Sequence, residues 1–311
     1  MTANPNIDAM TEVLDATNLV LPLIAAPMTA VSTPELVAAA CAAGVIGAFP
    51  TSNPASSAEL EEWLERIDAE IGRREHGVMP GPVAANLIVH RSNKRLDADL
   101  ATIVEHGIQI AITSVGSPAP VVAGLHSAGC IVLADVASLM HAHKALEAGA
   151  DGLVLLGAGA GGNTGWANPF AFARAVRRFF AGTLVLAGGV SDGTALWAAI
   201  TLGYDFGYMG TKMIATAESG ATAQRRRDVV ESSLDDIVLG TSRYGVQASL
   251  LKASGSAGHS VSGVEREGTV EEVIRETANQ WQSARTRTAA VLGTNGSDPP
   301  AATLKRRQRS P

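Results

Sequence analysis

Short apolar runs alternate with longer amphipathic stretches along most of this 311-residue chain. Runs at 19–26, 45–49, 83–87, 108–113, 131–134, 152–156, 184–187 and 206–209 are rich in Val, Ile and Leu. Most lack strict alternation, the pattern of parallel strands covered on both faces. Between them, helical periodicity is read at 34–43, 58–74, 96–105, 119–128, 139–148, 168–180 and 193–202. Pro34 opens the first of these, with Ser32 or Thr33 as its N-cap. Gly44, Gly107, Gly129, Gly149, Gly182 and Gly203 stand just past helix ends, where glycine closes a helix. Eight such strands predict an α/β fold, a (β/α)8 TIM barrel rather than an open doubly wound sheet.

After about Glu218 the rhythm changes. Residues 218–268 are polar and rich in Gly and Ser, with a helical patch at 224–239. Residues 269–292 read as a helix, with Glu271, Glu272 and Glu276 early and Arg285 and Arg287 late, matching the helix dipole. The expected organisation is an N-terminal extension (1–17), a barrel (18–217), a smaller helical cap over the barrel mouth (218–292) and a disordered tail (293–311). Lys305, Arg306, Arg307 and Arg309 in that tail read as solvated charges rather than a nucleic-acid contact.

Composition narrows the partners. A net charge of −6 and a pI near 5.7 argue against a nucleic-acid binder. Aromatic residues at 4% leave little for base stacking. Asp8, Glu12 and Asp15 interrupt any secretory h-region, and no apolar run reaches membrane-spanning length. Cys41 and Cys130 lie in apolar segments and read as small buried hydrophobes in a reducing, cytoplasmic compartment, with no metal site expected.

Chemistry concentrates at the C-terminal ends of the expected strands, where barrels bind ligands. The sixth strand runs into Gly157-Ala158-Gly159-Ala160-Gly161-Gly162-Asn163-Thr164-Gly165-Trp166. Glycines there let backbone approach a bulky ligand closely. The seventh ends in Ala187-Gly188-Gly189-Val190-Ser191-Asp192-Gly193 and the eighth in Met209-Gly210-Thr211-Lys212. Backbone N–H groups of Gly188, Gly189 and Gly210 and the Thr211 hydroxyl can hold a phosphate. The bland reading is a pair of tight turns, but two such loops at consecutive strand ends favour the phosphate. The first strand ends in Ala25-Ala26-Pro27-Met28, a flat apolar ledge. The third ends in Ala84-Ala85-Asn86-Leu87, where Asn86 offers both donor and acceptor to the edge of a pyrimidine-dione ring.

Together these segments resemble the nitronate monooxygenase family of FMN-binding barrels, from about Leu21 to Ala217 and more loosely through His259. The most specific carriers are Ala187 to Gly193 and Met209-Gly210-Thr211-Lys212-Met213-Ile214-Ala215-Thr216-Ala217-Glu218-Ser219 in combination. The resemblance implies FMN as cofactor. Ala26, Pro27 and Met28 would flank its ring, Asn86 would bind the ring edge, and Gly161 and Gly162 would line it. Gly188, Gly189, Gly210 and Thr211 would hold its phosphate. Typical members read Glu-Ala-Gly-Gly-His at the sixth strand, and the His is the proton-abstracting base. This chain reads Gly159-Ala160-Gly161-Gly162-Asn163, so an amide stands in that place. An amide can orient a substrate but takes no proton near neutral pH.

Other polar candidates have two readings each. His259 either reaches the active site from the cap or is a surface residue. Asp135 either points into the barrel mouth or caps the next helix. Ser114 either touches substrate or flavin or caps a turn, and Trp166 is a candidate wall of the pocket. His141 and His143 read as surface residues of a helix. Asn163, His259 and Asp135 are therefore the catalytic candidates, with Asp135 and Ser114 also facing the cofactor.

The function expected from the resemblance is FMN-dependent oxidation of a nitronate or similar carbanion-like small molecule, with O2 as acceptor. Rival readings are an NAD(P)H-dependent flavin reductase of quinones or enoyl thioesters, and a flavin-free lyase or isomerase of a phosphorylated substrate. A non-catalytic flavin-binding module is a further rival. A homo-oligomer is left open.

Overall fold

The computed structural model describes residue 14 and residues 18–73, 77–252 and 254–291. Apart from Leu14, the expected N-terminal extension lies outside the described residues, as does the expected tail.

Eight parallel strands close into a barrel: β1 (Leu23–Ala25), β2 (Ile46–Pro50), β3 (Val83–Ile88), β4 (Ile110–Ser114), β5 (Ile131–Val136), β6 (Gly152–Leu156), β8 (Thr183–Ala187) and β9 (Phe206–Met209). Closure is made by β1 against β9, with Ile24 opposite Tyr208. Each expected strand is present, and the two-residue β7 (Gly162–Asn163) lies off the barrel. The flanking helices are α1 (Pro34–Ala42), α2 (Ser57–Arg73), α3 (Leu96–Glu105), α4 (Ala119–Ser127), α5 (Leu139–Glu147), α6 (Pro169–Val176) and α7 (Gly193–Leu202), and a single helical turn, α8 (Thr211–Ile214), follows β9. Thr33 is the N-cap of α1, its hydroxyl accepting the Leu36 N–H. The sixth helix is shorter than its periodicity suggests. Arg177, just past its end, instead donates to the carbonyls of Gly203 and Gly182 and pairs with Asp205.

Alternate residues of each strand fill the interior. Ile24, Ile46, Ala48, Ala84, Ile110, Ile112, Ile131, Leu133, Val154, Val185 and Phe206 form one buried cluster. The layering is that of a packed barrel core, so a ligand must sit above it at the strand ends.

The segment after the barrel departs from expectation in two ways. The helical patch at 224–239 divides into α9 (Ala223–Glu231), a single tight turn at Leu234–Asp236 and the strand β10 (Ile237–Thr241). Thr222 caps α9, while Ser233 and Asp236 cap the turn reciprocally. The next residues, Ile237-Val238-Leu239, pair with β11 (Gln247–Leu251), which also pairs with β12 (Gly255–Ser256). Branched apolar residues beside a partner strand prefer the pleated sheet over helix continuation. The cap over the mouth is thus largely an antiparallel sheet.

The second departure is the last helix, α10 (Val270–Val291), which packs along α7 and α1 on the flank of the barrel rather than over its mouth. Trp281 meets Trp197 edge to face with centroids 5.2 Å apart, and Trp197 Nε1 donates to Thr288 at 3.0 Å. Gly193 makes the close approach possible, since a Cβ there would lie 2.1 Å from both the Thr277 carbonyl and the Trp281 nitrogen. Among the described residues no helix is long and apolar enough to cross a membrane. Cys41 and Cys130 are unpaired and buried, and burial pushes both thiols up to about 12.

Candidate active site

A cavity of about 550 Å³ opens at the C-terminal ends of the barrel strands, bounded on one side by the cap sheet. Its lining includes Ala26, Pro27, Met28, Asn86, Ser114, Asp135, Gly161, Gly162, Asn163, Gly188, Gly189, Gly210 and Thr211. Every expected cofactor residue is therefore brought to one cavity.

The floor is the last inward-facing layer of the barrel. Alternation along β3, β4, β5 and β9 carries the sequence from aliphatic residues to Asn86, Ser114, Asp135 and Tyr208 at the top. Asn86 Nδ2 donates to the Ile112 carbonyl at 2.9 Å and to Ser114 Oγ at 3.2 Å. Its donor side is thus engaged by the protein, while its carbonyl oxygen, which the Ser114 hydroxyl approaches at 3.5 Å, keeps a lone pair for a ligand. Asp135 does not cap the following helix, whose N-cap is Ser138. One oxygen of Asp135 is buried without a hydrogen-bond partner, and desolvation pushes its carboxyl up to about 7. The Tyr208 hydroxyl is likewise buried and unpartnered. Burial, reinforced by the nearby Asp135 charge, holds it well above the usual phenol range.

The two expected phosphate loops stand side by side. Gly188 and Gly189 follow β8 with φ of +122° and +81°, a left-handed pair that favours glycine. A Cβ at Gly189 would meet nothing within 4 Å, so that position borders open cavity. Among the described residues no acceptor takes the N–H of Gly188, Gly189 or Gly210. Thr211 Oγ1 accepts the Gly258 N–H at 2.9 Å, which leaves the hydroxyl hydrogen free to donate. Successive unpaired N–H groups beside a free O–H form a concave anion-binding surface.

The sixth-strand loop is fastened to the cap. Gly162 and Asn163 form β7, which pairs antiparallel with Ser249 and Ala248 of β11. A Cβ on Gly161 would lie 2.8 Å from the Gly258 nitrogen, so glycine there permits backbone-to-backbone contact. Asn163 lines the cavity and is half-buried.

Two candidates fall outside. His259 is exposed and absent from the lining, and its N–H donates to the Gly159 carbonyl at 2.9 Å. Glycine at 159, with φ +96°, leaves room for the imidazole, which a Cβ there would approach to 2.7 Å. Trp166 is 80% exposed and walls no part of the cavity. His143 stacks on Phe179 with centroids 4.0 Å apart. Among the described residues no group of acidic, His and Cys side chains is arranged to hold a metal.

Sequence reading missed several lining residues. Tyr208 was hidden inside an apolar strand, where only its parity marks it as inward-facing. Arg225, Arg243 and Tyr244 reach the cavity from the cap. Arg225 donates to the Ser256 carbonyl at 3.2 Å, while its Nε is buried and unpartnered. Tyr244 packs on His90 with centroids 5.4 Å apart, joining the β10–β11 turn to the loop after β3. Asn53 clamps the first-strand loop by donating to the carbonyls of Met28 and Ser32 and accepting the Ala30 N–H.

A family model described as nitronate monooxygenase matches residues 10–296. A curated nitronate monooxygenase of Paraburkholderia phytofirmans is 28% identical over 66% of this chain and 66% of its own length. A (3aS,4S,5R,7aS)-5-hydroxy-7a-methyl-1-oxo-octahydro-1H-indene-4-carboxyl-CoA dehydrogenase of Mycobacterium tuberculosis is 25% identical over 74% of this chain and 63% of its own length. The chain thus spans just under two thirds of these relatives. Among solved structures, FabK from Thermotoga maritima superposes with a TM-score of 0.80 at 20% identity, covering 91% of this chain and 98% of that one. Nitroalkane oxidase from Streptomyces ansochromogenes gives 0.77 at 22% identity, covering 90% and 99%. These two likenesses concern the barrel fold. With a family model matched over residues 10–296, the chain belongs to the nitronate monooxygenase family.

Proposed function

We propose that this protein is an FMN-dependent oxidoreductase that oxidises a nitronate or similar carbanion-like small molecule, with O2 as electron acceptor. The observation that carries the reading is the pair of loops at the ends of β8 and β9. Three unpaired N–H groups and the Thr211 hydroxyl face a cavity whose border at Gly189 is empty. That donor set fits a monophosphate, and a planar ring extending from it would meet Ala26, Pro27, Met28, Asn86, Ser114 and Asp135. Gly161 and Gly162 would border the same ring from the sixth-strand loop.

FMN, when bound, supplies the two-electron redox chemistry, and the protein's task is to hold and orient the donor. Asn163 would donate an N–H to an anionic oxygen of the substrate; it has no proton-accepting nitrogen and does not serve as base. Arg225 and Arg243 give the cap wall a positive character suited to an anionic donor. His259, exposed and outside the lining, is a poor candidate for direct proton transfer. The buried free thiols support a cytoplasmic setting.

A second reading, NAD(P)H-dependent reduction of a quinone or enoyl thioester, draws support from the likeness to a coenzyme A thioester dehydrogenase. The test begins with the absorption spectrum of the purified protein, with bound flavin identified after release. Anaerobic titration follows, with ethyl nitronate in one arm and NADH or NADPH in the other. Bleaching by nitronate and recovery in air support the proposal. Bleaching by the nicotinamide alone supports the second reading, and a colourless protein overturns both.

A further inference from the structure

Asp135 and Tyr208 end two different strands, β5 and β9, and both belong to the inward-facing top layer of the barrel. Among the described residues, one carboxylate oxygen and the phenol oxygen are each buried with no hydrogen-bond partner. A buried polar atom without a partner is costly, and native structures keep one where a ligand supplies what is missing. Two such atoms border one cavity.

The surroundings decide their protonation. The floor neighbours Asn86 and Ser114 are uncharged and bonded to each other. Among the described residues, the other charged side chains lining the cavity are Arg225 and Arg243, on the cap wall, and neither forms an ion pair with Asp135. Burial without a cation favours the neutral acid. Tyr208 keeps its proton for the same reason, more firmly whenever Asp135 is ionised. Below about pH 7 the floor therefore presents two O–H groups for which the described residues provide no acceptor.

We propose that Asp135, as a carboxylic acid, and Tyr208 form a hydrogen-bond donor pair that recognises an electron-rich atom, a carbonyl oxygen or ring nitrogen, of the heterocycle bound above the floor. This rests on the flavin reading and adds an assignment to it. A carboxyl group kept neutral by its surroundings becomes a donor instead of an acceptor. Such donors bind more strongly as negative charge grows on their acceptor, so the pair favours the reduced form of the ring over the oxidised form. Ionisation of Asp135 replaces a donor with a repelling charge.

The experiment uses the full-length protein loaded with FMN. Flavin affinity, from fluorescence on dilution, and reduction potential are followed from about pH 5.5 to 9 in wild type, Asp135→Asn, Asp135→Leu and Tyr208→Phe. In wild type the affinity should weaken by up to about tenfold per pH unit above about pH 7, with the potential falling in step. Asp135→Asn retains a donor and cannot ionise, so it should be flat across the range and close to low-pH wild type. Asp135→Leu should bind FMN about tenfold more weakly than Asp135→Asn at pH 6, and Tyr208→Phe should lose affinity without moving the pH midpoint. Parallel pH profiles for wild type and Asp135→Asn overturn the pair. That comparison suffices if the Leu variant does not fold. Should no flavin bind at all, infrared difference spectra of wild type against Asp135→Asn separate the two ideas. A protonated carboxyl band at pH 6 leaves only the flavin reading overturned, whereas a carboxylate band there overturns the donor pair.

Discussion

Asn163 lies directly opposite Ala248 in the antiparallel pairing of β7 with β11, so the residue at the head of the sixth-strand loop is held by the cap. The loop leaves the barrel at Leu156, and by Gly162 it has become an edge of another sheet. Its orientation over the cavity therefore depends on two elements separated by more than eighty residues. A side chain so placed can direct a substrate, while its amide has no capacity to accept a proton at neutral pH.

Neutral nitroalkanes should accordingly be poor substrates and preformed nitronates good ones. Asn163→Ala should slow nitronate oxidation by about ten- to a hundredfold, the worth of a hydrogen bond to a charged group, while FMN content stays unchanged. Asn163→His should raise turnover of neutral nitroalkanes by about a hundredfold or more, in line with general-base contributions. His259→Ala should leave both rates within about twofold, because the ring is exposed and outside the lining. Steady-state oxygen uptake on paired nitroalkane and nitronate solutions reads all three variants. Loss of nitroalkane turnover in His259→Ala would return that residue to the chemistry.

At Gly189 the cavity border is open and the backbone left-handed, with φ +81°. Gly189→Asp should abolish FMN retention, since its carboxylate would repel the phosphate proposed to bind there. Gly189→Asn shares the size and the backbone strain without the charge, and should lose far less. Flavin content per folded protein, with circular dichroism to confirm the barrel, gives the comparison. Equal losses in the two variants would mean strain rather than charge is responsible.

The barrel was legible because burial on both faces demands unbroken apolar runs, and Leu153-Val154-Leu155 or Leu184-Val185-Leu186 have few other uses. The Gly188-Gly189 turn after β8 was legible because a left-handed backbone pair favours glycine. Asn86 was found through residue type, but its donor side is consumed by Ile112 and Ser114, a partnership set by strand register and silent in the chain order. The cap was misread because its helix, turn and strand follow each other within residues 223–241, and Ile237–Thr241 becomes a strand only through a partner beginning at Gln247. Arg225 belongs to the run Arg225-Arg226-Arg227, and only the fold turns it toward the cavity while Arg226 pairs with Glu267.

The docking of α10 makes a prediction about the flank. Gly193→Ala would drive a methyl into the Thr277 carbonyl and the Trp281 nitrogen, both backbone atoms of a packed helix. Overpacking against backbone has no cheap relief, so a loss of about 1–3 kcal/mol is expected. Thermal unfolding should shift down by several degrees, and Trp281→Ala, which removes the edge-to-face partner of Trp197, should shift it in the same direction. If Gly193→Ala unfolds at the wild-type temperature, the helix has moved away at little cost.

Asp135 links the floor of the site to the stability of the barrel. In the unfolded chain its carboxyl titrates near 4, and in the folded chain desolvation pushes it up to about 7. Between those values the folded protein holds a proton that the unfolded chain has already released. Stability from this residue therefore falls as pH rises from about 4 to about 7, and it falls no further above that. Three pH units correspond to about 4 kcal/mol in the limit, and water entering the cavity reduces this to about 1–3 kcal/mol. Asp135→Asn carries no such penalty, so its stability advantage over wild type should be small near pH 4, grow through pH 7 and then level off. Denaturant unfolding of the flavin-free protein at a series of pH values measures that difference directly. A constant difference across the range would mean that Asp135 titrates as an ordinary carboxylate, with an acceptor's role at the floor instead of a donor's.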